Sequence, residues 1–151
     1  MKTRFQFIVL LVLLGVSMAA SQTPPKLDQA IGKEVGPIRS SAAYAEVLLR
    51  KTELQADLES LLGDYTEQNP KIIDIRFELA ALAKDIDKMF AVRPSETGKL
   101  TAALGKLVLK KAGVETELAR MLRSYAEDHP EVRRMRRKVE IYAAAIKEIL
   151  G

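Results

Sequence analysis

From Tyr44 onward, apolar side chains return every three or four residues. Tyr44, Val47, Leu54, Leu58, Leu61 and Tyr65 form one series, with Lys51 in the same register. That spacing puts them on one stripe of an α-helix and predicts a helix of about 25 residues with a single seam. Ser40 or Ser41 stands where its N-cap is needed. A second series, Ile72, Ile75, Leu79, Leu82, Ile86 and Met89, follows Asn69-Pro70. Asparagine is a good N-cap, and proline at N1 lacks only an N–H that the helix would leave unpaired anyway. The short connection forces the two helices antiparallel, each on the order of 30 Å long. Tyr65 is then expected near Ile72, Leu58 near Leu79 and Val47 near Met89.

The pattern then repeats. Leu104, Leu107, Lys111, Val114, Leu118, Met121 and Tyr125 match the first series, lysine included, and Val132, Met135, Val139, Tyr142, Ile146 and Ile149 match the second. Aligning 41–90 on 101–150 gives 12 identities in 50 positions, among them Leu58, Leu62, Tyr65, Glu67, Pro70 and Arg76. A fixed-period repeat means one supersecondary unit made twice. The predicted fold is therefore all-α, two tandem antiparallel helical hairpins over 40–91 and 99–151 joined by a linker at 92–98. Such hairpins can close on each other as a four-helix bundle or pair between chains as a coiled-coil-like assembly. Ser95 is the expected cap of the third helix. Gly105 and Gly113 lie inside that helix at about 1 kcal/mol each relative to alanine, marking either a close approach or a bend. The hairpins differ outside the seam: Ile73 and Phe77 widen the second helix's apolar face where the fourth has Arg133 and Arg137. That wider face is expected to be buried against something.

Ahead of the helices the sequence changes character. Lys2 and Arg4 precede an apolar run over 5–16, followed by small residues at 17–21 and a polar turn. This is the pattern of a secretory signal peptide, assigned to 1–20. The run falls short of the ~20 residues that span a bilayer, so membrane attachment is expected only if the segment is retained. Residues 21–39, with Pro24, Pro25 and Pro37 and glycines at 32 and 36, read as a flexible leader with one helical turn near Leu27. No cysteine is present, which excludes a cysteine-linked lipid anchor and a disulfide framework. The expected location is the periplasm, or outside the cell.

Charge is unevenly spread. Residues 22–90 hold 9 Lys/Arg against 12 Asp/Glu, and 91–151 hold 13 against 8, so the two parts carry about −3 and +5. Such asymmetry favours attraction between the parts, between copies, or to an acidic partner. The absence of Trp and the scarcity of aromatics argue against stacked nucleic-acid binding.

At Met121-Leu122, Tyr125 and His129-Pro130-Glu131-Val132 the chain resembles the periplasmic coiled-coil hairpin of bacterial polysaccharide chain-length determinants, the polysaccharide co-polymerases. The first repeat fits with Asn69 in place of His129. The resemblance implies a hairpin shape and an envelope location, and covers roughly 41–90 and 101–150. That family's mixed α/β domain, C-terminal membrane helix and kinase domain have no counterpart in this sequence.

Chemistry is sparse. His129, the one histidine, fits an N-cap better than a metal ligand, and no catalytic, cofactor or metal site is expected. Tyr65 and Tyr125 read as staples closing on Ile72 and Val132, with sugar stacking as the functional alternative. Lys51 and Lys111 sit at seam positions, where lysine either sets register or snorkels past the seam. Arg133, Arg134, Arg136, Arg137 and Lys138 form a basic stripe opposite the seam. It is either a solvated face neutralised by Glu127, Glu131 and Glu140, or a surface for an acidic glycan, a lipid headgroup or another copy's acidic hairpin. Together these features point to a non-catalytic, exported scaffold or interaction module linked to envelope polysaccharide assembly, with a protein partner or itself as ligand. A small periplasmic holdase chaperone is the alternative. If the leader is a signal peptide, N-terminal sequencing of the protein recovered from the envelope should begin near Ser21; an intact Met1 end would contradict it.

Overall fold

A computed structural model describes residues 36–151. The stretch expected to be a signal peptide and most of the expected leader, including the turn expected near Leu27, lie outside the described residues. Those described are all-helical, with no strand among them. The helices are α1 (Ala42–Asp64), α2 (Pro70–Phe90), α3 (Ala102–Leu122) and α4 (Pro130–Leu150), with a 3-10 helix over Pro94–Lys99. A helical turn over 36–39 precedes α1, and Ile38 is buried in the core. The end of the stretch read as leader is thus part of the packed structure, because Ile38 covers the start of α1.

The caps set the boundaries. Ser41 accepts from the Tyr44 amide, and Asn69 accepts from the Lys71 amide at 2.9 Å. His129 does the same for α4 through Nδ1, which accepts from the Glu131 amide at 3.3 Å. The cap of α3 is Thr101, accepting from the Leu104 amide, and not Ser95. Pro94 opens a 3-10 helix instead, which uses up Ser95 before α3 begins. Thr101 is the residue that aligns with Ser41 in the repeat.

The chain reverses at 65–69, so that Arg50 meets Glu78 at 2.8 Å and the Tyr44 ring lies 5.7 Å from that of Phe90. Helices α1, α2 and α3 touch one another pairwise, whereas the extensive contact of α4 is with α3. The core is filled by Val47 and Leu54 of α1, Leu82, Ile86 and Met89 of α2, and Leu104, Val108 and Ala112 of α3. Toward its C-terminal end α4 adds Ile146, with Ile149 and Leu150 against it, and the Lys99 ammonium donates to the Leu150 carbonyl at 3.0 Å.

The two α3 glycines have different reasons. A Cβ on Gly105 would stand 2.9 Å from Glu46 Cβ and 3.1 Å from the Ala43 Cα and carbonyl oxygen. The Ala43 amide donates to the Leu100 carbonyl beside this crossing. Gly105 therefore marks a close approach of α3 to α1, against backbone that cannot give way. Gly113 has open space where a Cβ would go. Thermal melts should separate the two: Gly105→Ala is expected to destabilise by about 1–3 kcal/mol through overpacking, and Gly113→Ala to stabilise by about 0.5–1 kcal/mol through helix propensity. A stabilising Gly105→Ala would contradict the crossing.

Candidate functional site

Because α3 faces α2 on one side and α4 on another, a cleft remains between α2 and α4 with α3 as its floor. One part, about 650 Å³, has Leu118, Ala119 and Leu122 of α3 below, Phe77 and Ala81 of α2 on one wall and Val139 of α4 on the other. A second part, about 690 Å³, lies between the end of α2, the 3-10 helix and the last turns of α4, at Val92, Ala143, Ile146 and Leu150. Lys88 lines both, so the two meet there.

Phe77 keeps 42% of its surface exposed, and Ile73 and Leu122 are also exposed. The expectation that the wide face of α2 is buried is not met among the described residues: α4 packs on α3 and stands off from that face. Leu118, a seam position, is half-buried in the cleft for the same reason.

The cleft borders are cationic. Lys84, Lys88, Lys111, Arg93, Lys99 and Lys147 line it against Glu96 and Glu115. Several of these charges are held internally. The Asp85 carboxylate, 1% exposed, accepts from Lys88 at 2.7 Å and from Lys111 at 3.1 Å, and Lys111 also pairs with Glu115 at 2.8 Å. Burial pulls the Lys111 pKa down, but the Glu115 and Asp85 carboxylates outweigh it and leave it raised. Arg93 and Lys99 pair with Glu96 at 2.7 and 3.0 Å and hold its carboxyl down to about 2. Below the cleft, desolvation of Asp74 is overcome by hydrogen bonds from Arg123 and Arg120, at 2.6 and 2.9 Å, so its pKa is lowered. Lys84 and Lys147 are exposed and form no ion pair among the described residues.

Of the residues singled out in the sequence, Asn69, Pro70, His129 and Pro130 sit at the starts of α2 and α4 as caps and first helical positions. Tyr65 and Tyr125 are 54% and 49% exposed, and the Tyr125 ring lies 4.5 Å from the imidazole of His129, the cap of α4. Arg133, Arg134, Arg136, Arg137 and Lys138 are all exposed on α4. Arg134 pairs with Glu131 and Arg136 with Glu127, while Arg133, Arg134 and Arg137 border a shallow hollow beside Pro130. Lys51 is half-buried, but Lys111 is an ion-pair partner inside the core. Sequence reasoning missed Asp85. Its signal was a carboxylate on the inward side of α2, one residue before the seam position Ile86, with a seam lysine in the next helix to meet it.

Among the described residues, no group of three or more His, Asp or Glu could hold a metal ion, and no helix is long and apolar enough to cross a membrane. Comparison with known proteins returns no match: no family model fits the chain, and neither a curated protein nor a solved structure is significantly similar to it.

The buried pair can be tested directly. Asp85→Ala leaves two lysines facing a vacated carboxylate site and is expected to lose about 3–5 kcal/mol in denaturant unfolding. The double substitution Asp85→Leu/Lys111→Met should recover most of that, since an apolar pair replaces a buried ionic one at little net cost. A single substitution without effect would remove the pair from the core's energetics.

Proposed function

We propose that this protein is an exported, non-catalytic helical scaffold of the bacterial envelope, built as two tandem hairpins and working by docking a protein helix. The observation that carries the reading is the cleft between α2 and α4: an apolar floor, an exposed Phe77 and cations along both borders. Helix-in-groove recognition uses that combination, apolar anchors below and charge at the rim. Exposed apolar surface of this kind on a small chain marks an interaction site. The repeat and the reversals at Asn69-Pro70 and His129-Pro130 support the hairpin reading, and the resemblance of those turns to chain-length determinants supports a place beside polysaccharide assembly. The signal-peptide pattern supports export.

A second reading is favoured by the concavity of the same cleft: a holdase that shelters unfolded segments along an apolar trough. The two differ in the number of partners. With a photocrosslinking residue at Phe77 in cells, the scaffold reading expects one discrete adduct, and the same residue at Glu148 on the outer side of α4 should give none. A continuous smear of adducts favours the holdase. No adduct at Phe77 overturns both.

A further inference from the structure

One face of α1 is left uncovered among the described residues and matches the cleft. Val47 and Leu54 turn α1's inner side toward α2 and α3, and the opposite side is exposed. Ala45, Leu49, Thr52, Ala56, Ser60 and Gly63 follow one another at steps of three and four residues, all exposed, so they form a stripe along the helix. Leu49, 62% exposed, stands toward its N-terminal end, with Leu48 beside it. The stripe is bordered by carboxylates. Glu46, Glu53, Asp57 and Asp64 lie along one edge and Glu59 on the other, and only Glu53 of these forms an ion pair among the described residues. The outer half of α1 therefore has small, uncharged residues and Leu49 along its middle, Thr52 and Ser60 among them, and is acidic along its borders. The cleft is apolar along its floor and cationic along its borders, with Lys84 and Lys147 left unpaired.

The lengths agree as well. From Ala45 to Ser60 the stripe runs ~22 Å, and the α2 wall from Phe77 to Ala91 runs ~21 Å, at ~1.5 Å per residue. Within one chain the two cannot meet, since α1 packs on the far side of α2 and α3 from the cleft.

We infer that the cleft between α2 and α4 receives helix α1 of a second copy of this chain, with Leu49 set against Phe77 and the α1 carboxylates against Lys84 and Lys147. This rests on the docking reading above and names its partner. The contact is heterologous: each copy keeps one free stripe and one free cleft, so association continues beyond a dimer into rings or open chains. A helix ~22 Å long and ~10 Å across covers on the order of 200 Å² of projected groove, small beside the interfaces of stable complexes. Association therefore belongs to high local concentration, and the charged borders make it weaken as salt rises.

The test is the solution mass of the purified exported protein by sedimentation equilibrium, across concentration and at low and high salt. The wild type should gain mass with concentration at low salt, and lose it at high salt. Leu49→Lys and the double substitution Lys84→Glu/Lys147→Glu change exposed residues outside the core, and each should leave a monomer with unchanged helical circular dichroism. Mixed in equal amounts they should form a dimer and nothing larger, because one supplies an intact cleft and the other an intact α1. A wild type that stays monomeric throughout, variants that associate like the wild type, or a mixture that stays monomeric would each overturn the inference. A discrete Phe77 adduct carrying a different protein, with the purified chain monomeric, would sink this inference alone and leave the docking reading intact.

Discussion

The structure depends on one buried charge being answered. Lys111 stands at a seam position of α3, 8% exposed, where an unpaired ammonium would carry a desolvation penalty of several kcal/mol. Asp85 of α2 and Glu115 one turn along α3 answer it, and Lys88 completes the set on Asp85. Lys51, its counterpart in the first repeat, has no such partners available by sequence: Gln55 replaces Glu115, and Ala145 replaces Asp85. The ion pair is therefore possible in one place only, and it fixes α3 against α2 in one register. On another side Gly105 lets α3 approach the backbone of α1 at Ala43. With both sides engaged, α3 becomes the central helix, and α4 has only its remaining face to pack on.

The cleft follows from that arrangement. A helix packed on α3 alone cannot also cover the wide face of α2, so Phe77 and its neighbours stay open. The second repeat has arginines where the first has Ile73 and Phe77. The apolar excess therefore lies on one helix, facing a neighbour that does not meet it. Outside the seam the two aligned stretches differ, and Ile73 and Phe77 stay exposed among the described residues.

Charge is distributed with the same asymmetry. Arg120 and Arg123 reach across to Asp74, and Lys111 to Asp85. Part of the attraction between the acidic and basic parts of the sequence is thus satisfied inside the molecule, across its helix contacts. What remains is segregated, with carboxylates along the outer side of α1 and cations at the cleft and on α4. Exposed pairs at these borders would add little stability singly, but arranged along two matching edges they set orientation and exclude wrong partners.

The four long helices and the turns within each pair were legible in the sequence, because caps and three-four spacing are local properties of the chain. The helical turn over 36–39 and the 3-10 helix over Pro94–Lys99, read as leader and linker, were not. Ser41, Asn69 and His129 act as their positions predict, and Thr101 was readable from its alignment with Ser41, though the nearer Ser95 drew attention first. The repeat was equally plain. The identity of the central helix was not, because it turns on Asp85 meeting Lys111 across 26 residues and on Gly105 meeting Ala43 across 62. A seam pattern states which side of a helix prefers to be covered and says nothing about which neighbour covers it. That choice, and the open cleft it leaves, was settled only when long-range contacts competed for the faces of α3.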